Sequence, residues 1–227
     1  MHPVSPVVFL VDVDNTLLDN DGVIDDMRRH LAKALGAEGA DLYWREFEAI
    51  RTELGYADYL GALQRYRLRH PHECVVGEIS SFLLKYPFAD RVYPGALDLL
   101  ARMASIGTTV ILTDGDVVFQ PWKVERSGIG AAVDGRVLIY VHKEHELAQV
   151  ERRYPAERYV LVDDKLRILS AVKAAWGDKV TTVFPRQGHY ALDPAIIDAY
   201  PAADVEVERI GDLLDLDLAT ILPDRPR

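Results

Sequence analysis

Three observations predict an α/β fold, a doubly wound parallel sheet carrying an inserted all-helical segment. The run Val7 to Val11 is apolar on both alternating faces and leads directly into Asp12 and Asp14, as expected of a strand covered by helices on both sides. Residues 17 to 88 then keep helical spacing without a convincing strand. From residue 89 onward helix and strand alternate, the pattern of a parallel sheet wound with helices.

In chain order, Ile24, Met27, Leu31 and Leu35 recur on one helical face, with Asp25 and Asp26 at the favourable amino end and Gly36 at the exit. Tyr43, Phe47, Ile50 and Leu54 repeat that spacing up to Gly55. Tyr56, Leu60 and Leu63 start a third helix that stops before Pro71, and Val75, Ile79 and Phe82 mark a fourth. Pro87 and the turn Tyr93, Pro94, Gly95 close the segment. The predicted division is therefore a core of residues 1–16 and 89–227, with a helical insertion at 17–88.

Beyond the turn, Ala96 to Ala104 is a helix and Thr108 to Leu112 a strand ending at Thr113. Val117 to Ser127 is helical and stopped by Gly128, Val137 to Val141 is a short strand, and Glu144 to Arg153 is a helix. Tyr159 to Val162 is a strand that ends, like the first, in two acids, Asp163 and Asp164. Leu166, Leu169, Val172 and Trp176 mark a helix and Val180 to Phe184 a strand. Asp204 to Val207 and the segment to Leu214 add a last strand and helix. There is no internal repeat or low-complexity segment.

Composition narrows the function. The 227 residues are 49% hydrophobic and 27% charged, enough for a sizeable core. No apolar stretch approaches the roughly 20 residues that span a bilayer, and the first residues lack the basic flank of a signal segment, so a cytoplasmic protein without a membrane partner is expected. The single cysteine, Cys74, excludes an internal disulfide and is read as a small buried hydrophobe. A formal charge of -10 argues against nucleic acid as a partner, because backbone binding requires clustered Lys and Arg. The same charge obliges any anionic substrate to find local positive charge at its site.

Polar residues gather at the carboxyl ends of the predicted strands: Asp12 and Asp14, Thr113, then Asp163 and Asp164, with Lys143 directly after the intervening strand. That edge is where open sheets of this class bind ligands. Residues two apart in an extended chain project to the same side, so Asp12 and Asp14 address one point. Paired carboxylates repel unless a cation joins them, and a hard oxygen-rich set suits magnesium better than zinc.

In this order, the aspartates of Asp12, Val13, Asp14, Asn15 and Thr16, the strand ending in Thr113, then Lys143 and the pair Asp163, Asp164 resemble the motifs of a phosphohydrolase of the haloacid dehalogenase (HAD) superfamily. The resemblance covers nearly the whole chain and likens the helical insertion to the family's first type of cap. It implies that Asp12 is a nucleophile that carries an aspartyl-phosphate intermediate. Asp14 would then protonate the leaving oxygen and later deprotonate the attacking water. Thr113 would hydrogen-bond a phosphoryl oxygen, and Lys143 would neutralise charge around the nucleophile. A magnesium ion would sit on Asp12, the backbone carbonyl of Asp14 and Asp163, with Asp164 bound directly or through water. Dehalogenase members generally lack the second acid, so Asp14 favours phosphoryl chemistry.

The expected activity is that of a magnesium-dependent phosphatase acting on a small phosphorylated metabolite. A phosphotransferase or phosphomutase using the same intermediate, or a catalytically silent phospholigand-binding protein, are the alternatives; substrate identity and oligomeric state stay open. Asp114 stands where many relatives have asparagine and is expected to point away from phosphate. Lys143 is preferred as the active-site lysine from its place just after a strand, with Lys123 read as solvated or helix-packing and Lys165 as pairing with the adjacent acids. Arg65, Arg67, Arg69, His70 and His72 read as a solvated helix end, Tyr43 and Trp44 as packing, and Ser127 to Gly130 as a helix stop. His189 either lines the site or sits on an exposed loop.

Overall fold

The computed structural model describes residues 4–72, 74–218, 220 and 221. Among these, six strands form one parallel sheet in the order β3-β2-β1-β4-β5-β6. The chain begins with β1 (Ser5–Val11) and then leaves the sheet for three helices, α1 (Asn20–Leu54), α2 (Tyr59–Arg69) and α3 (Val76–Lys85). A 3-10 turn at Phe88–Arg91 leads to α4 (Ala96–Ile106), β2 (Thr108–Asp114), α5 (Phe119–Arg126), α6 (Ile129–Ala132) and β3 (Val137–Tyr140). After a 3-10 turn at Lys143–His145 come α7 (Leu147–Arg153), β4 (Ala156–Val162), α8 (Leu166–Trp176) and β5 (Val180–Pro185). The short helices α9 (Gly188–Leu192) and α10 (Pro194–Ile197), then β6 (Val205–Val207) and a 3-10 turn at Ile210–Leu214, complete the order.

β1 alternates between the two apolar layers, as its sequence requires. Val7, Phe9 and Val11 face a cluster shared with α4, α5 and the helices between β1 and α4, while Val8 and Leu10 face a second cluster with α7 and α8. β1 pairs with β2 on one side and β4 on the other, with Val11 level with Ile111 and Val162. The chain therefore winds outward in both directions from β1 and β4, and a crevice opens beyond their carboxyl ends.

The helical segment follows the sequence reading at Gly36. The run α1 begins at Asn20 with Asp19 as cap and is two helices that meet in a kink at Gly36. Gly36 takes φ 71° and ψ 174°, outside the helical region and where residues with a side chain rarely go, so the first helix exits there as expected. The connections at either end of the segment also pair with each other, through an antiparallel bridge of Leu18 with Val92 and a hydrogen bond from Tyr93 N to Leu17 O of 2.9 Å. In the second half, the expected helix from Glu144 splits into a 3-10 turn and α7, and the segment after β6 closes as a 3-10 turn. Cys74 is exposed in the connection between α2 and α3, contrary to the buried role expected of it. A thiol counted among hydrophobes gives no signal that its turn lies outside the core.

No helix among the described residues is long and apolar enough to cross a membrane.

Candidate active site

The strand ends deliver the predicted acids to one place. Asp12 follows β1 and Asp163 follows β4, and the amide of Asp12 still donates to Val162 O at 2.9 Å, so the pairing carries both carboxylates past the sheet together. Ligand oxygens of Asp12, Asp163 and Asp164 lie within 4.8 Å of one another, and all three residues are buried. Lys143 reaches them from beyond β3, across β2. Its ammonium donates to Asp12 Oδ1 at 2.5 Å and to Leu112 O at 3.2 Å, and lies 2.6 Å from Asp163 Oδ2.

Burial alone would raise the Asp12 carboxyl, but Lys143 and Lys165 more than offset it and hold the group below the ordinary range. For Asp163, burial outweighs Lys143 and the carboxyl is raised. Asp164 is raised much further, by burial and by its acidic neighbours, and neither of its oxygens has a hydrogen-bond partner. An orphaned carboxylate beside two others is costly unless a cation joins them. Three hard oxygen donors of this kind could hold a metal ion.

Asp14 lies apart from this trio. Its Oδ1 accepts from Lys123 Nζ at 2.6 Å, and it lines a cavity of about 640 Å³ above the sheet edge. Lys123 also donates to Asn20 Oδ1 at 2.9 Å and is 1% exposed, so of the solvated and helix-packing roles expected of it the solvated one is excluded. The signal was available: α5 buries Phe119, Gln120 and Val124, and Lys123 shares their side of the helix, four residues from Phe119.

Thr113 is buried, and its hydroxyl accepts from Gln120 Nε2 at 3.0 Å. Asp114 does not point away. It lines the cavity and its Oδ1 accepts the Lys143 amide at 2.8 Å, while burial pushes its carboxyl up to about 6. Lys165 has no carboxylate within ion-pair distance among the described residues; its ammonium lies 5.3 Å from the centre of the Tyr190 ring and lines the cavity. Its predicted pairing with the adjacent acids is thus absent as a direct contact.

Thr16 and Asn15 have no role of their own in the sequence reading. Thr16 accepts the Asp164 amide at 3.0 Å and donates to Asp12 Oδ2 at 3.4 Å, fixing the two acids relative to each other. Asn15 takes φ 59° and its Oδ1 accepts the amides of Asn20 and Asp21, at 3.0 and 3.1 Å. His189 lines the cavity and meets Asp21 Oδ1 at 2.7 Å. Trp44 also lines the cavity, whereas Tyr43 packs in the interior with its hydroxyl on Tyr59 O. The basic run of α2 stays outside: Arg65 pairs with Glu53, and Arg69 with Glu46.

A family model for haloacid dehalogenase-like hydrolases matches residues 7–176. The chain belongs to this family. A haloacid dehalogenase-like hydrolase of Burkholderia xenovorans LB400 is 61% identical, with a TM-score of 0.90, over 95% of this chain and 100% of that one. L-2-haloacid dehalogenase from Xanthobacter autotrophicus shares the HAD fold at 18% identity and a TM-score of 0.60, over 92% of this chain and 97% of its own. The HAD-hydrolase YfnB from Bacillus subtilis, bound to magnesium, shares it at 14% identity and a TM-score of 0.62, over 92% and 96%. No curated protein matches the chain. The six-stranded parallel sheet with flanking helices is the HAD-like fold.

Proposed function

We propose that this HAD-like hydrolase is a magnesium-dependent phosphatase of small phosphomonoesters. The observation that carries the reading is the separation of two carboxyls from one strand end: Asp12 buried and held by Lys143, Asp14 on the cavity and held by Lys123. A phosphoester needs both, a nucleophile for phosphorus and a proton for the departing oxygen. Halide leaves without a proton, so dehalogenation gives Asp14 no task.

Asp12, Asp163 and Asp164 would hold the magnesium ion, which when bound supplies positive charge beside the phosphoryl group. A carboxylate oxygen of Asp12 attacks phosphorus in line, the bond to the leaving oxygen breaks, and Asp14 gives that oxygen its proton. Asp14 then takes a proton from water as the water attacks phosphorus of the aspartyl phosphate, releasing phosphate and restoring Asp12. Lys143 keeps Asp12 ionised and oriented, and Thr16 ties it to the Asp164 backbone. The cavity between α1 and the sheet edge shelters the chemistry from bulk water.

Release of phosphate from 4-nitrophenyl phosphate with magnesium tests the proposal. Asp12→Asn is expected to lower turnover by roughly 10³-fold or more at unchanged circular dichroism, and chelation to abolish it in the native protein. Chloride release from 2-chloropropionate, with no phosphate release from any ester, would replace this reading with dehalogenation.

A further inference from the structure

Three lysines surround the acids, and an ammonium has three N–H donors and no acceptor. Counting what each already holds separates their roles. Lys143 Nζ has three acceptors around it, Asp12 Oδ1, Leu112 O and Asp163 Oδ2, and is 1% exposed. Its charge already faces two carboxylates, and it is not among the residues that line the cavity. Lys123 Nζ is equally buried and is held by Asp14 and Asn20.

Lys165 differs from both. Among the described residues its ammonium has no hydrogen bond and no ion pair, and it lines the cavity from the first position after Asp163 and Asp164. Its own amide donates to Asp163 Oδ1 at 2.9 Å, which anchors the backbone while the side chain extends over the Tyr190 ring. The arginines on the same cavity are already neutralised: Arg28 by Asp25, Arg51 by Glu48 and Arg167 by Glu144, at 3.2, 2.9 and 2.5 Å. A phosphoryl dianion entering a site with three buried carboxylates needs positive charge within reach, and Lys165 is the lysine or arginine on this cavity whose charged group touches no carboxylate directly among the described residues.

We propose that Lys165 is the catalytic lysine that receives the substrate's phosphoryl oxygens, and that Lys143 is a positioning residue for Asp12. This rests on the phosphatase reading above. It divides between two side chains the role that the sequence motif gives to Lys143 alone.

The test compares the native protein with Lys165→Met, Lys165→Arg and Lys143→Met, all with magnesium. Calorimetric titration with inorganic phosphate reads binding, and 4-nitrophenyl phosphate reads KM and kcat. Lys165→Met is expected to weaken phosphate binding and raise KM by about ten-fold or more, with a smaller fall in unfolding midpoint than Lys143→Met because no hydrogen bond is lost. Lys165→Arg recovers most of both, since a cation again faces the cavity. Lys143→Met lowers the unfolding midpoint more and lowers kcat. If the native protein hydrolyses the ester and Lys165→Met keeps native KM and phosphate affinity, the inference is overturned while the phosphatase reading stands. If the native protein hydrolyses no phosphomonoester, the phosphatase reading fails, and phosphate titration still judges Lys165: equal affinity in both proteins, or none in either, overturns its role.

Discussion

Asp114 is held against its chemistry by its surroundings. Burial pushes its carboxyl up to about 6 from the ordinary 3.8, although Lys143 counteracts this through its charge and its amide. Between those values the folded protein keeps a proton that the unfolded chain has released, so this group makes stability fall as pH rises from about 4 through 6. Asp114→Asn retains an oxygen for the Lys143 amide and removes the titration. Urea midpoints at pH 4 and pH 7 are expected to show the variant gaining on the native protein as pH rises; a constant difference would contradict the burial argument. Lys123 teaches a related lesson about reading sequence. A lysine in an amphipathic helix reads as solvated by default, because an apolar stem and a charged tip suit an exposed face. Spacing from Phe119 marks its side of the helix as buried, but the partners that satisfy it, Asp14 and Asn20, precede it by 109 and 103 residues, and no local pattern announces them.

At the scale of elements, what was legible followed from period and position. β1 and β4 read clearly because both are apolar on two faces and end in acids, and their pairing then places Asp12 beside Asp163. The buried acid trio follows from topology once the two strands are neighbours. What stayed hidden lies in turns, where hydrogen bonds and backbone angles decide. Nothing in the spacing shows that Asn15 holds the first turn of α1, or that α9 packs its first residue against Asn15. Gly188 takes φ 73°, and a Cβ there would lie 2.4 Å from that of Asn15. Gly188→Ala therefore meets both a disfavoured backbone region and a collision, and is expected to cost about 1–3 kcal/mol in urea unfolding. The loss should be accompanied by a lower kcat, because Asn15 lies between Asp14 and Thr16 in the loop that carries the site.

For the whole molecule, the acid trio links stability to the cation. Without one, Asp164 is a buried carboxyl with no hydrogen-bond partner, so the fold holds a group that ionises only at a cost. Magnesium at ten times its dissociation constant should stabilise the native protein by about 1.4 kcal/mol, seen as a rise in unfolding temperature over the chelated sample. Asp164→Asn is expected to be more stable than the native protein in chelator at pH 8, by about 1–3 kcal/mol, and to lose most of the magnesium response. A variant that still rises fully with magnesium would remove Asp164 from the cation site.

The grip of Asn15 on the amides of Asn20 and Asp21 also bears on exchanging parts between relatives. The loop that presents the reactive carboxyls is at the same time the seat of the long helix, so a chimaera joined at residue 20 would import helices cut from their mounting. Splicing upstream of Asp12 keeps mounting and chemistry in one piece, and chimaeras made that way should retain their activity where the shorter grafts lose it.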